Sequence, residues 1–269
     1  MRRVSVCGVL VLFLGVAVAA QTVVTTHAVL GEFARIVGEE AITVVSIIPS
    51  GFCPSHYDLS PSDLAAVMAA GVILYSGIEP WMDTLLDAVG TDAVAVQLPG
   101  PWNTPEAAKL RIREIRDVLA EQFPASADGF TMRADAYIEE LDALAQLLKS
   151  TAESVGAAGI PVVCMQWQVD FVTWMGFEVV ASYGIPESLS LRDLVDLTAQ
   201  GRAAGAQLVI DNLQSGIDFG AKLAREINAV HVVLSNFPGA MPGTATVLDL
   251  LDRNAASLFS AIEPIDLGG

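Results

Sequence analysis

The sequence predicts an α/β protein of two lobes, each carrying a mostly parallel four-stranded sheet flanked by helices, with a ligand cleft between them. Two observations carry this expectation. Short apolar, β-branched runs alternate with helical patterns roughly every 25 residues, the signature of βαβ units and a parallel sheet. One long helical pattern in the middle of the chain divides these units into two sets of four strands.

The first twenty residues stand apart. Arg2 and Arg3 form a positive start, Val4–Val16 is mostly apolar, and Ala17-Val18-Ala19 is a small-residue cleavage site. This reads as a secretory signal peptide over residues 1–20, with an uncleaved membrane anchor as the other reading. Cys7 lies early in the apolar run, well before the cleavage site, so it is not placed as a lipoprotein anchor. A periplasmic or extracellular address follows.

Gln21–Thr26 reads as the first strand and Ala28–Val37 as a helix with Val29, Phe33, Ile36 and Val37 at helical spacing. Ala41–Ile48 is the second strand. Ser60-Pro61-Ser62-Asp63 then opens a helix, with a hydroxyl to cap free N–H groups and proline in the first turn. Val72–Tyr75 and Ala93–Gln97 are strands three and four, with Trp81–Val89 helical between them. Pro105 opens a helix to Gln122, where Lys109, Arg111, Arg113 and Arg116 alternate with acidic residues as a solvated face.

Ala125–Val155 is the longest helical pattern, about 46 Å if continuous at ~1.5 Å per residue. Ala134, Tyr137, Ile138, Leu141, Leu144, Ala145 and Leu148 form its apolar stripe. Beyond Gly159 the alternation restarts: strands at Pro161–Met165, Glu178–Ala181, Gln207–Ile210 and Val230–Leu234, with helices at Gln168–Met175, Leu191–Ala204, Phe219–Ile227 and Val247–Ile262. The expected division is 21–123 for the first lobe, 124–157 for a connecting helix and 158–269 for the second lobe.

A formal net charge of −17, made more negative by loss of Arg2 and Arg3, argues against a nucleic-acid partner. There is no Gly-x-Ser-x-Gly elbow, His-Glu-x-x-His helix or phosphate loop, and no enzyme is expected. Candidate ligand residues sit where strands end, because such ends face one crevice in an open α/β fold. In the first lobe these are His27, Cys53, His56, Glu79 and Trp102. In the second they are Cys164, Gln166, Trp167, Asp211, Asn212, Gln214 and Asn236. Imidazole, thiolate and carboxylate suit a borderline metal. His27 reads equally as a helix-start residue. Cys53 and Cys164 admit three readings: metal ligands, a disulfide, or two ordinary thiols. His231, inside an apolar run, is expected to be a buried, hydrogen-bonded core residue.

Pro54-Ser-His-Tyr-Asp-Leu-Ser-Pro-Ser-Asp63, followed by an apolar strand and Gly77-Ile-Glu-Pro-Trp81, resembles the solute-binding proteins of zinc and manganese ABC importers. The resemblance implies two lobes joined by one long helix, His56 as a metal ligand, and a monomer that hands its cargo to a membrane permease. The cargo is then a divalent transition metal, zinc or manganese, with no organic cofactor. Three further positions that usually carry ligands hold Gly100, Met165 and Ser235 here. The metal set expected for this chain is therefore His56, His27, Asp211, Cys164 and Cys53. A small organic solute or metal chelate is the alternative cargo.

Overall fold

The computed structural model describes residues 21–262; the expected signal peptide lies outside them. In the first lobe, β1 (Gln21–Thr25) leads through α1 (Ala28–Gly38) to β2 (Ile42–Ser46). Helix α2 (Pro61–Met68) precedes β3 (Val72–Tyr75), and α3 (Met82–Val89) precedes β4 (Val94–Gln97). The strands lie in the order β2-β1-β3-β4 and every pairing is parallel. Helices α4 (Pro105–Gln122) and α5 (Ala127–Ser154) follow.

The second lobe repeats the plan. Its elements are β5 (Pro161–Met165), α6 (Val169–Trp174), β6 (Glu178–Tyr183), α7 (Leu191–Ala204), β7 (Leu208–Asn212), α8 (Asp218–Ile227), β8 (Val230–Leu234) and α9 (Val247–Ile262). The sheet order β6-β5-β7-β8 is the first order shifted by four strands, again wholly parallel.

Local chemistry sets the helix starts. Ser60 and Asp63 form a reciprocal capping box, in which Asp63 Oδ2 accepts from the Ser60 N–H at 2.7 Å and Pro61 occupies the first turn. Ser190 and Asp193 repeat it at α7. Thr104 caps α4 by accepting from the Ala107 N–H at 3.2 Å. The long helix begins two residues later than the sequence pattern suggests. Pro124–Ser126 winds as a 3-10 turn, since proline brings no N–H and tightens the entry.

Helix α5 is the spine of the molecule. Its 28 residues run about 42 Å at ~1.5 Å each. Phe130, Ala134, Tyr137, Ile138, Leu141, Ala145, Leu148 and Ala152 line its buried face. One continuous apolar core contains these residues, Val23 and Leu74 of the first sheet, and Val162, Ile210 and Leu234 of the second. The lobes therefore share a core along α5, which favours modest relative movement over wide opening. A polar clasp adds to it: Glu32 of α1 accepts from the Val247 N–H of α9 at 2.8 and 3.0 Å, and from the Tyr137 hydroxyl at 3.0 Å. Among the described residues no helix is long and apolar enough to cross a membrane.

Candidate cargo cleft

In both sheets the chain turns outward in opposite directions from the two central strands, so a crevice opens at their carboxyl ends. The two crevices face each other across a cavity of about 370 Å³. From the first lobe comes the loop after β2. Its 3-10 turn Pro54–His56 brings Cys53 and His56 to the cavity, with His56 exposed and Cys53 half-buried. Two bonds pin the turn: Trp81 Nε1 donates to the Pro54 carbonyl at 3.2 Å, and Ser55 Oγ donates to the Ile78 carbonyl at 3.3 Å. Trp102 and Asn103, in the turn before α4, complete this wall.

Amides dominate the opposite wall. Gln166, Trp167, Asn212, Gln214 and Asn236 all line the cavity. Gln168, buried beneath them, orients two of them: its Nε2 donates to Asn212 Oδ1 at 3.1 Å and to Asn236 Oδ1 at 2.9 Å. Gln214 Nε2 donates to Ser235 Oγ at 2.9 Å and reaches across to the Ser50 carbonyl at 3.3 Å. Two more bonds cross between the lobes beside the cavity. Trp102 Nε1 donates to the Asn236 carbonyl at 2.8 Å, and Asn103 Nδ2 donates to the Trp167 carbonyl at 2.9 Å.

The five expected metal ligands do not converge. Among the described residues no three His, Cys, Asp or Glu side chains lie together as an ion would require. Cys53 and His56 reach the cavity; His27, Cys164 and Asp211 do not. His27 is buried behind Trp102, ring centroids 4.6 Å apart, and Phe237, at 5.3 Å. Neither of its ring nitrogens has a partner among the described residues, and burial holds its pKa down at about 4 despite the nearby Glu79 charge.

Asp211 is wholly buried on the other face of β7. It accepts from the Tyr183 hydroxyl at 2.5 Å and lies 2.7 Å from His231 Nε2. Gly220 of α8 is what makes room for it, because a Cβ there would sit 2.1 Å from Asp211 Oδ2. His231 has this bond but is half-buried on an edge strand rather than enclosed. Cys164 is also fully buried; its thiol donates to the Met165 carbonyl at 3.3 Å, and burial together with the Asp211 charge pushes its pKa up. Among the described residues neither Cys53 nor Cys164 forms a disulfide, so the disulfide reading is corrected. Glu79 is likewise not at the cavity. It ties down the loop after β3, accepting from Thr26 Oγ1, from Ser76 Oγ at 2.9 Å and from the Gly77 N–H at 2.7 Å.

Among the lining residues that the sequence reading did not single out, Asn103, Asp170 and Glu187 bear most on the chemistry of the cavity. Asn103 directly follows Trp102, Asp170 opens the helix after Gln166–Gln168, and Glu187 lies in the 3-10 turn after β6. Each lies between the end of a strand and the first turn of the helix that follows it, and that placement is the signal that could have found them.

The model of the family ZnuA, "Zinc-uptake complex component A periplasmic", matches residues 23–261. The chain belongs to this family. Among its relatives, the "Iron-binding protein YfeA" of Yersinia pestis is 28% identical over 155 residues, half of each chain. The "Manganese-binding lipoprotein MntA" of Halalkalibacterium halodurans is 26% identical over 150 residues, 49% of this chain and 50% of that one. This chain thus spans about half the length of the curated relatives it matches. The Mn-bound periplasmic metal binding protein of Candidatus Liberibacter asiaticus superposes with a TM-score of 0.80 at 18% identity, covering 90% of this chain and 99% of that one. The periplasmic zinc binding protein TroA of Treponema pallidum gives 0.79 at 18% identity, with coverages of 91% and 100%. These likenesses establish the fold.

Within the family frame, the replaced positions have other employment. Gly100 lines the cavity at φ +106°, a conformation strained for any side chain. Met165 is buried, and its sulfur accepts from the Trp167 N–H at 3.2 Å. Ser235 is buried, with its hydroxyl engaged by Gln214. None of the three offers a donor in place of the usual ligand, so the residues present do not fit a metal held entirely by protein side chains.

Proposed function

We propose that this chain is the extracytoplasmic solute-binding component of an ABC importer, a binding protein rather than an enzyme. It captures a divalent transition metal, zinc or manganese, in the cleft between its lobes and delivers it to a membrane permease. The observation that carries this reading is His56, held on a pinned turn at the mouth of a cavity between two parallel-sheet lobes, in a chain of this family. Imidazole is a good donor to zinc, and Cys53, next to the same turn, is a further donor at the cavity. The relatives are named for iron, manganese and zinc, so the class of cargo is supported more strongly than the element.

Metal analysis of protein isolated from its own host without chelators tests the reading. Near-stoichiometric transition metal is expected in the parent, with at least a tenfold loss in His56→Ala. An equal metal content in the two proteins, or none in either, would remove the basis for a metal cargo.

A further inference from the structure

The cleft is far larger than a bare ion needs. A water-sized ion displaces about 30 Å³ of liquid, whereas the cavity holds about 370 Å³, within the ~300–1,000 Å³ of sites that take small organic molecules. Protein donors to a metal also do not converge: His56 and Cys53 share one turn, and among the described residues no three His, Cys, Asp or Glu side chains, the lining Asp170 and Glu187 included, form a group that could hold an ion.

Three features of the walls describe what fills the rest. First, among the described residues the acidic side chains lining the cavity are Asp170 and Glu187, and none of those lining it is Lys or Arg. An anionic ligand would meet only like charge, while a cation would be welcomed. Second, acceptors stand unused. Asn103 lines the cavity and is 8% exposed, yet its Oδ1 has no partner among the described residues; Gln168 Oε1, just beneath the amide wall, has none among them either. Buried carbonyls left in this state cost about 1–3 kcal/mol each. N–H or O–H donors would satisfy them, whereas a bare zinc ion, which prefers nitrogen and sulfur ligands, would leave them largely unused. Third, Trp167 stands 46% exposed at the cavity, a flat apolar face that an organic body would cover.

Resting on the metal reading above, we propose that the metal enters as a cationic complex with a small amine- or imidazole-bearing chelator. An amino-acid complex of the zinc–histidine kind has this chemistry. His56 supplies a coordination bond from the protein, and the chelator supplies most of the others. Asp170 and Glu187 balance the net positive charge, and the chelator's N–H groups serve the free amide carbonyls.

The test titrates metal-stripped protein calorimetrically with four probes: zinc chloride alone, zinc premixed with one equivalent of L-histidine, zinc citrate, and L-histidine alone. The zinc–histidine complex should bind at least tenfold more tightly than zinc alone or zinc citrate, and L-histidine alone should bind at least a hundredfold more weakly than its complex. His56→Ala and Glu187→Gln, both at exposed positions, should each lower affinity for the complex at least fivefold with unchanged circular dichroism and melting temperature. Zinc alone binding as tightly as the complex would overturn the chelate and leave the metal reading standing. A preference for zinc citrate would also overturn the cationic complex. L-histidine alone matching its complex, or no binding in any arm, would sink both readings.

Discussion

His27→Leu should make the protein more stable, and more so the lower the pH. The imidazole is 1% exposed and packs against Trp102 and Phe237, and neither nitrogen has a partner among the described residues. Leucine fills a similar volume without the unsatisfied nitrogens, so a gain of about 1–3 kcal/mol is expected at pH 7.5. The proton adds a second effect. Burial lowers the His27 pKa from 6.5 to about 4. A depressed histidine favours folding above its unfolded pKa, and that contribution is lost as pH falls toward the folded value. At about 1.4 kcal/mol for each tenfold change in proton affinity, the loss between pH 6.5 and pH 4 is about 3 kcal/mol. Urea unfolding of parent and variant at pH 7.5, 6, 5 and 4 reads both effects, with constant slopes as the check that one transition is being followed. The advantage of the variant should therefore grow by about 3 kcal/mol across the series. If the advantage stayed flat with pH, or the variant were weaker at pH 7.5, His27 would have a partner and the reasoning would fail.

Asp211→Asn should lower stability by about 2–3 kcal/mol through weakened bonds to Tyr183 and His231 while leaving cargo affinity within threefold, because Asp211 lies away from the cavity. A tenfold loss of affinity with intact folding would instead return Asp211 to the site. Glu32→Gln probes the clasp between α1 and α9. Burial raises the Glu32 pKa from 4.5 to about 6, against the bonds from Val247 and Tyr137. A raised carboxyl favours folding below about pH 4.5, and that contribution disappears as pH rises through 6. The glutamine variant should thus gain up to about 2 kcal/mol over the parent between pH 4.5 and pH 7.5 in denaturant unfolding; a gain that shrinks over this interval would contradict the shift.

What the sequence revealed and what it hid divide along a physical line. Features fixed by neighbours in the chain were legible: Ser60–Asp63 starts a helix, Leu191–Ala204 is helical, the apolar stripe of α5 is buried, and two sets of four strands form two parallel sheets. The Pro54–Asp63 motif likewise pointed to the right family. Strand-end residues were harder, because adjacent side chains leave a strand on opposite faces. Asn212 lines the cavity while Asp211 beside it turns to Tyr183 and His231, and no local rule says which of the two faces the cleft. For His27 the difficulty was range. Its burial is decided by Trp102 and Phe237, which only the closed fold brings against β1.

The same three bonds that wall the cavity also govern access to it. Trp102 to Asn236, Asn103 to Trp167 and Gln214 to Ser50 are each a side-chain donor from one lobe on a backbone carbonyl of the other. At about 1 kcal/mol net apiece, separating all three costs about 3 kcal/mol, which keeps a fully parted cleft below about 1% of molecules. The shared core along α5 resists wide opening from behind. Because the bonds end on carbonyls, no charged group is stranded when they part, and water can replace each one. A ligand that satisfies Asn103 Oδ1, whose amide nitrogen already holds Trp167, tightens the wall and the inter-lobe bond together. Were the proposed cargo to donate to Asn103 Oδ1, recognition and lobe closure would run through the same amide, and the cleft could report its filling without a metal ligand from the second lobe.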